Sequence, residues 1–420
     1  MKITGLETFT VAIPFLAPIF SAYGMSYPAR IRTFIRLHTD EGLVGVGEAG
    51  VSATHHIRRD EQARVFEETV KPQIIGENPF DYLAIMKKLR YIPESIAVEV
   101  ACWDLMGKQV GLPVYRLLGG CGHRASVPLA AYFFFRGPNR AGKLAVDLDN
   151  CVDHVRWLIA TYGFRTVKMK LGVYEPMIEA EAVEKIRAAI GPHVKLRIDP
   201  NGCWSLPTAK RVLKRLEHCD LEYVEEPIKY TPARRAISTQ EGVPSLDTLG
   251  LAALRRATAT PIAADGVYRI DLLWQVARDQ AADVALGDIQ GCWGIRGMYD
   301  FYTVAQVLNI AGGVHSGTEL GVLQTAKLHV TAARPELTHA GDAIYHEYAD
   351  DVLVGGMLKY RDGEMLVPQS AGLGIELDDA KLAQYELTEA KHKEYDEYWA
   401  DLKRQFNIPP AGPDLLVRHF

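Results

Sequence analysis

The sequence has no long apolar segment, no cysteine pair and no excess of basic charge. No window approaches about 18 uninterrupted apolar residues, so no segment is predicted to span a membrane. The net charge of −5 gives no field that would attract nucleic acid or an anionic membrane surface. The six cysteines are scattered without a CxxC pair, so neither a disulfide framework nor a zinc knuckle is expected. Because the N-terminus also lacks the apolar core of a signal peptide, we predict a cytoplasmic protein.

The chain also lacks tandem repeats and low-complexity segments, and its 420 residues are too many for one compact core. Alternating apolar and polar residues over 3–10, 31–38 and 43–48 predict antiparallel strands, and three helical patterns follow, up to Gly111. A Leu-Leu-Gly-Gly segment at 117–120 marks a domain junction. We therefore predict an N-terminal α+β domain over residues 1–124.

From residue 125 onward, short apolar segments of strand length alternate with amphipathic helical patterns. The predicted strands cover residues 127–132, 166–170, 194–199, 221–226, 261–265, 283–288, 311–315 and 339–342. Such strand–helix units imply parallel strands with right-handed crossovers, and about eight of them favour a closed (β/α)8 TIM-type barrel over an open sheet. The predicted fold class is α/β, with a modified barrel over residues 125–350.

The remaining segment, residues 351–420, is predicted to form a hairpin with strands over 352–360 and 364–368, followed by a polar helical stretch over 378–406. We expect this segment to return to the N-terminal domain and to complete a capping domain. The polar, proline-bearing stretch 229–245 is predicted to be a loop insertion on the barrel.

Ionisable residues stand at the carboxyl ends of most predicted barrel strands. They are Lys168, Lys170, Asp199, Glu225, Asp265, Asp288 and His315. A single carboxylate at such a place is as easily a helix cap as a functional group. In a barrel, however, successive strand ends converge on one face, where barrel active sites are built. Their succession therefore predicts an active site.

Asp199, Glu225 and Asp265 end adjacent predicted strands, and three ionised carboxylates so close together would repel one another strongly. A hard divalent cation removes this repulsion, and an oxygen-only donor set favours Mg²⁺ over Zn²⁺, with Mn²⁺ able to substitute. Such a cation can stabilise the enolate that forms when the carbon beside a carboxylate loses its proton. The alternative is a surface charge network without a metal.

Lys168 and Lys170 alternate on one strand, so both point to the same face, which in a barrel is the lumen. An amine there suits a catalytic base, and the alternative is a solvated lysine pair at a strand end. His315 follows two glycines, and Asp288 ends the neighbouring strand, where its carboxylate could hold the imidazole in one tautomer. The alternative for His315 is a histidine packed in the core.

Together these residues resemble the enolase superfamily, in its mandelate racemase/muconate lactonizing enzyme-like branch. The resemblance rests on Lys168-Met169-Lys170, Asp199-Pro200-Asn201, Glu225-Glu226-Pro227, Asp265, Asp288 and His315, and on Ala101-Cys102-Trp103-Asp104-Leu105 in the N-terminal domain. Segments 199–206, 255–258 and 372–377 are most similar to the glucarate dehydratase group.

The resemblance implies that Lys170 and His315 are bases on opposite faces of the substrate α-carbon, with Asp288 orienting His315. Lys168 would help to neutralise the substrate carboxylate and the enolate. In a dehydration, His315 would next protonate the departing β-hydroxyl. The implied substrate contacts are Asn201 and Tyr132.

Three departures from the glucarate dehydratase pattern bear on specificity. The third metal position, usually Asn in that group, is Asp265, and the covering loop 21–28 has no histidine. The expected Asp-Thr-His near the last strand is Asp342-Ala343-Ile344. Because these positions would bind the far end of an aldarate, we expect an aldonate to be preferred. Side chains that could restore aldarate binding are Arg30, Arg32 and Arg136. In the loop insertion, Glu241 could compete with Glu225 as a metal ligand.

The leading hypothesis is a hydro-lyase reaction, the Mg²⁺-dependent dehydration of an acid sugar, aldonate or aldarate, to a 2-keto-3-deoxy acid. A racemase or epimerase of a hydroxy or sugar acid, which reprotonates the same enolate, is the alternative. A catalytically silent barrel that only binds acid sugars is a third reading, and the presence of both candidate bases argues against it. The expected partner is a small-molecule sugar acid, with no nucleic acid or membrane, and barrels of this type often assemble as homo-oligomers.

Overall fold

The computed structural model describes residues 1–49, 59–90, 92–120, 124–228 and 246–406, so the predicted insertion 229–245, with Glu241, lies outside the described residues. The strands are β1 (Ile3–Pro14), β2 (Ile19–Ser21), β3 (Gly24–Met25), β4 (Ala29–Thr39), β5 (Val44–Glu48), β6 (Ser126–Phe133), β7 (Phe135–Arg136), β8 (Thr166–Lys170), β9 (Lys195–Asp199), β10 (Tyr223–Glu225), β11 (Ile262–Ala264), β12 (Val284–Gly287), β13 (Ala311–Val314), β14 (Gly341–Asp342), β15 (Tyr360–Arg361) and β16 (Glu364–Leu366). The α-helices are α1 (Arg59–Arg64), α2 (Lys71–Ile74), α3 (Tyr82–Lys88), α4 (Ser95–Val110), α5 (Val114–Leu117), α6 (Cys151–Tyr162), α7 (Pro176–Ile190), α8 (Leu206–Leu216), α9 (Thr248–Arg255), α10 (Ile270–Asp279), α11 (Ile295–Val307), α12 (Gly321–Ala332), α13 (Asp379–Tyr385) and α14 (Glu389–Gln405). A π-helical segment covers Val65–Val70, and 3-10 turns cover Pro79–Asp81, Glu217–Cys219 and Tyr345–Glu347.

The N-terminal part is built on an antiparallel sheet in the order β1-β4-β5, against which α4 packs. Every residue of α4 from Ser95 to Gly107 is buried, as its apolar circumference predicts. Two glycines of β5 permit this close packing. A Cβ at Gly45 would lie 2.5 Å from the carbonyl oxygen of Ala101, and one at Gly47 would lie 2.1 Å from that of Ala97.

The central sheet is parallel, with neighbouring strands in the order β13-β12-β11-β10-β9-β8-β6 and with β14 on the other side of β6. Each predicted barrel strand is present. Several are shorter than predicted, because Asp265, Asp288 and His315 lie just beyond the last residue of their strands, in the loops at the carboxyl ends. The fold is a modified TIM barrel with a capping domain, in agreement with the prediction.

The helix α8 illustrates how the sequence forms the outer layer of the barrel. Ser205 caps it by accepting a hydrogen bond from the Thr208 backbone N–H at 3.2 Å, and Pro207 stands in its first turn. Its apolar side chains recur at helical spacing and are buried, among them Val212 and Leu216. The helix therefore packs one face on the sheet and turns its lysines and arginines outward.

The C-terminal segment differs from the prediction in two respects. The predicted strand over 352–360 is wrong, since only its last residue belongs to a strand, and Gly355 and Gly356 form a turn with φ values of 84° and 80°. The predicted helical stretch over 378–406 is two helices, separated where the Leu387 N–H donates to the Thr10 carbonyl of the capping sheet. Because β16 pairs with β6 in the barrel sheet, the segment contacts both parts, and the division at 350/351 stays a prediction. Within the described ranges, no helix has the length and apolar content needed to cross a bilayer.

Candidate active site

Lys170 and Asp199 form the first ion pair of the site, at paired positions on β8 and β9. The Lys170 amine donates to Asp199 Oδ2, and also to Asn201 Oδ1 at 3.2 Å. The Asn201 N–H donates to Asp199 Oδ1 at 2.8 Å, and Asn201 adopts a left-handed φ of 50°. The turn after β9 therefore fixes both the carboxylate and the amide against the same lysine.

Lys168 lies beside this pair and is fully buried among carboxylates. Its amine donates to Glu225 Oε2 and to Asp342 Oδ2, the latter at 2.5 Å, and it lies 3.5 Å from Asp199 Oδ2. Burial acts to lower the pKa values of Lys168 and Lys170, but the neighbouring carboxylates raise both well above the ordinary lysine value. Since Lys168 is 0% and Lys170 6% exposed, the alternative of a solvated lysine pair is excluded.

Glu225 connects the two lysines to the other half of the site. Burial, and the nearby charge of Asp199, raise the pKa of Glu225 well above its ordinary value. The pKa of Asp199 is held well below its ordinary value, since Lys170 and Lys168 outweigh the opposing effect of burial. Glu225 Oε1 is buried and makes no hydrogen bond within the described part of the chain. A buried carboxylate oxygen that accepts no hydrogen bond is suited to binding a cation.

Glu225, Asp265 and His315 offer ligand atoms that all lie within 4.8 Å of one another. His315 Nε2 is 3.9 Å from Glu225 Oε1 and 3.8 Å from Asp265 Oδ2. The Tyr268 hydroxyl donates to Asp265 Oδ1 at 2.5 Å and so orients this carboxylate. Of the predicted ligands, Glu225 and Asp265 therefore lie in one group with His315, while Asp199 lies beside Glu225 at the Lys168 amine. Carboxylate oxygens fit a hard divalent cation, and the role of Asp199 as a ligand stays a prediction.

His315 and Asp288 are paired as the sequence predicts, with 3.1 Å between His315 Nδ1 and Asp288 Oδ2. The other oxygen of Asp288 accepts the backbone N–H groups of Gln290 at 2.8 Å and Gly291 at 2.7 Å. Burial acts to lower the pKa of His315, but Asp265 and Asp288 raise it to about 10. Because the imidazole faces carboxylates rather than apolar side chains, the alternative of a core-packed histidine is excluded.

Tyr132 lies under both lysines, with its ring centroid 4.9 Å from Lys168 Nζ and 5.3 Å from Lys170 Nζ. Its ring is 2% exposed. The structure therefore places Tyr132 and Asn201 against the lysines, while their predicted contacts with substrate stay predictions.

The covering loop forms the hairpin β2–β3, which pairs with β7 at the exit of the first barrel strand. Ser26 Oγ accepts the Ile19 N–H at 3.2 Å within this hairpin, and Ile344 is buried at 2% exposure. Two of the arginines considered for an aldarate are already bound to carboxylates. Arg136 pairs with Glu347 and Arg32 with Glu48, in each case with both partners buried.

Two residues of the site were missed by the sequence analysis. Asp342 binds Lys168, and its place at the end of a predicted strand is the same signal that identified the other strand-end groups. Tyr268 binds Asp265 from a loop three residues later, and no motif or periodicity indicated it.

Comparison with known proteins identifies the family. Residues 4–119 match the mandelate racemase / muconate lactonizing enzyme N-terminal domain, and residues 150–381 match the enolase C-terminal domain-like family. The chain belongs to the enolase superfamily. Members of this superfamily are enzymes, and their reactions include dehydration, racemisation and cycloisomerisation.

Three similar proteins illustrate this range. A probable glucarate dehydratase of Streptomyces coelicolor is 29% identical over 394 residues, 87% of each chain. An N-succinyl-L-Arg/Lys racemase of Bacillus cereus is 26% identical over 394 residues, 91% of this chain and 98% of the racemase. An enolase of Thermobispora bispora, crystallised with magnesium and formate, superposes with a TM-score of 0.81 at 29% identity, over 100% of this chain and 99% of that one.

Proposed function

We propose that this enolase superfamily member is a Mg²⁺-dependent acid-sugar dehydratase, which converts an aldonate or aldarate into a 2-keto-3-deoxy acid. One observation carries the proposal. Lys170 and the His315–Asp288 pair reach the same carboxylate cluster from different strands, Lys170 through Asp199 and His315 through Glu225 and Asp265. Two proton-transfer groups beside one cation-binding cluster are what α-proton removal and loss of a β-hydroxyl require.

Asp199, Glu225 and Asp265 would hold Mg²⁺, in line with the magnesium in the enolase of Thermobispora bispora. When bound, Mg²⁺ supplies positive charge for the enolate that forms as the carbon beside the substrate carboxylate loses its proton. Lys168 adds a buried positive charge beside Glu225. Asn201, hydrogen-bonded to Lys170, and Tyr132, beneath both lysines, lie where they can orient the substrate.

The two bases have different roles in this reaction. Lys170 removes the α-proton, for which it must first give up the proton that Asp199 stabilises. His315, held by Asp288 at Nδ1, delivers a proton from Nε2 to the β-hydroxyl, which leaves as water. Asp288 keeps Nδ1 of His315 engaged, so that Nε2 faces the cluster.

Racemisation or epimerisation is the second candidate. The charged His315 could return its proton to the α-carbon instead of to a leaving group, and the similarity to the Bacillus cereus racemase favours this alternative. The two outcomes differ in one bond, because only dehydration breaks the carbon–oxygen bond.

A screen of aldonates and aldarates in the presence of Mg²⁺ tests the proposal. Dehydration gives a keto acid that reacts with semicarbazide, whereas epimerisation changes the optical rotation without forming a keto acid. Lys170→Met should abolish the reaction, and Lys195→Met, at the opposite end of β9 with a 62% exposed side chain, is the matched control. Rotation changes without keto acid would reject dehydration in favour of epimerisation.

A further inference from the structure

A buried ion pair of the capping domain touches the loop that follows His315. Arg32 on β4 and Glu48 at the end of β5 are both 0% exposed and lie 3.2 Å apart. The Glu48 carboxylate accepts the backbone N–H groups of Leu320 at 2.9 Å and Leu323 at 3.0 Å, at the start of α12. Glu48 therefore binds the barrel helix that begins six residues after His315.

Arg32 binds the intervening loop directly. Its Nη2 donates to the carbonyl oxygens of Gly317 at 3.2 Å and Thr318 at 2.8 Å, and to Thr318 Oγ1 at 3.2 Å. Thr318 has a φ of 67°, which is unfavourable for a β-branched residue. Such a conformation persists only where the surroundings hold it, and Tyr348 assists by donating to the Thr318 carbonyl at 3.0 Å.

The same loop is joined to the one that carries Asp288. Gln290 Nε2 donates to the Gly317 carbonyl at 2.8 Å, and the Gln290 N–H donates to Asp288 Oδ1 at 2.8 Å. A Cβ at Gly317 would lie 2.3 Å from Gln290 Nε2 and 2.9 Å from Asp288 Oδ2, so a larger residue there would have to displace one of these side chains. A displacement of Gly317 and Thr318 would therefore change the positions of both His315 and Asp288.

A second carboxylate of the capping domain binds the start of the helix that follows the Asp288 loop. Glu99 on α4 is 1% exposed and accepts the N–H groups of Ile295 at 2.9 Å and Arg296 at 3.0 Å, at the start of α11. This helix follows the loop after Asp288. The capping domain thus binds the chain just beyond each member of the pair.

We propose that the Arg32–Glu48 pair is a positioning element for the His315–Asp288 pair, so that the capping domain sets the geometry of proton transfer by His315. Its catalytic consequence rests on the proposed function, but its geometric consequence does not. The sequence offers Arg32 as a side chain that could bind a substrate carboxylate. Its four hydrogen bonds, one to Glu48 and three to Gly317 and Thr318, give it a fixed role instead.

Arg32→Met is the first test, because it keeps much of the side-chain volume and removes every hydrogen bond to the loop. In a crystal structure of the variant with Mg²⁺ alone, Thr318 should leave the left-handed region, and His315 Nδ1 should lie farther than about 3.5 Å from Asp288 Oδ2. With an acid sugar that the unmodified enzyme converts, kcat should fall about 10²-fold while KM stays nearly constant, since misplacing a reacting group by about 1 Å costs this much.

Two further variants separate positioning from general stability. Arg36→Met is the matched control, because Arg36 lies on the same strand but donates to Leu377 O at 3.0 Å and pairs with Asp379 in the C-terminal segment. It should leave kcat unchanged. Adding Thr318→Gly to Arg32→Met should restore part of kcat, since glycine adopts a positive φ without cost, and a merely structural role for Arg32 would not give this rescue.

The outcomes discriminate clearly. An Arg32→Met structure in which the imidazole and carboxylate stay 3.1 Å apart overturns the proposal, as does a loss of kcat that Thr318→Gly does not relieve. If Arg32→Met does not fold, Arg32→Lys keeps the charge beside Glu48 but lacks the planar fork that reaches the carbonyls, and the same crystallographic distances decide. If the pair separates as expected and no acid sugar is converted even by the unmodified protein, positioning stands and the proposed reaction is wrong.

Discussion

Asp288→Asn is the most direct test of the proton-transfer pair, because the change is nearly isosteric. The amide oxygen of the new side chain can still accept the N–H groups of Gln290 and Gly291, which the carboxylate receives at 2.8 and 2.7 Å. The loop should therefore keep its conformation. The amide nitrogen, however, would take the place of the oxygen that lies 3.1 Å from His315 Nδ1.

An amide N–H donated to Nδ1 requires that nitrogen to be unprotonated, so the neutral imidazole carries its proton on Nε2 and loses its stabilised charged form. His315 could then neither accept a proton at Nε2 nor be held as the charged acid. A positioned acid or base contributes on the order of 10²–10⁴-fold, or about 3–5 kcal/mol of transition-state stabilisation. We expect kcat to fall by this factor.

The assay compares kcat, KM, Mg²⁺ affinity by calorimetry and melting temperature for Asp288→Asn and the unmodified protein. Asp271→Asn is the control, since Asp271 is an exposed carboxylate on α10 that pairs with Arg269 at the surface. An unchanged kcat for Asp288→Asn would refute the role of the pair. A parallel loss of Mg²⁺ affinity would show instead that the substitution disturbs the carboxylate cluster.

Four other predictions concern the metal, His315, the substrate and pH. Protein stripped with chelator should lose activity and recover it with Mg²⁺ or Mn²⁺, and full activity in excess chelator would refute the metal site. Asp199→Ala should bind metal far more weakly than the unmodified protein. His315→Asn should abolish turnover but retain Mg²⁺ affinity, and lost affinity would make His315 a ligand. Because Ser26 and Ile344 offer no cation to a second carboxylate, kcat/KM should be higher for an aldonate than for the matched aldarate, and a preference for glucarate would contradict this. Burial raises the pKa of Glu99 from 4.5 to about 7, so the folded chain keeps a proton that the unfolded chain releases. The stabilisation from this proton is complete below pH 4.5 and is lost as pH rises through about 7, which lowers the free energy of unfolding by about 3 kcal/mol. Urea unfolding across this pH range measures the loss, and Glu99→Gln should flatten the pH dependence. An equal pH dependence in Glu99→Gln would show that Glu99 does not bind this proton.

The strand-end groups could be located from the sequence because a barrel converts linear order into proximity. Once the strands were predicted to be parallel and closed, Asp199, Glu225 and Asp265 had to lie on adjacent strands at one face. The same rule, applied to the eighth strand, would have found Asp342. The sequence analysis considers Asp342 only as part of the segment 342–344, because the apolar signal of the strand predicted over 339–342 is weak.

The remaining features depend on contacts that no local pattern encodes. The hydrogen bond from Arg32 to Thr318 joins residues 286 positions apart, across the junction between the capping sheet and a barrel loop. The alternating pattern of β4 predicts that Arg32 shares a face with Arg30, but not what that face meets. The predicted strand over 352–360 is wrong because of a local signal. The glycines at 355 and 356 indicate a turn, but the apolar residues around them favoured a strand.

The position of His315 decides both the metal and the mechanism. Its Nε2 lies 3.8–3.9 Å from two carboxylate oxygens of the cluster, near enough to be a ligand or a base, but one lone pair cannot serve both roles. If His315 were a ligand, an imidazole and two carboxylates would favour a transition metal such as Zn²⁺. If it is the base, the third ligand must be Asp199, and the donor set becomes all oxygen, which favours Mg²⁺. Asp199 and Glu225 both lie beside the Lys168 amine, and Asp288 orients His315 as an acid–base group, so the contacts of the chain support the second arrangement.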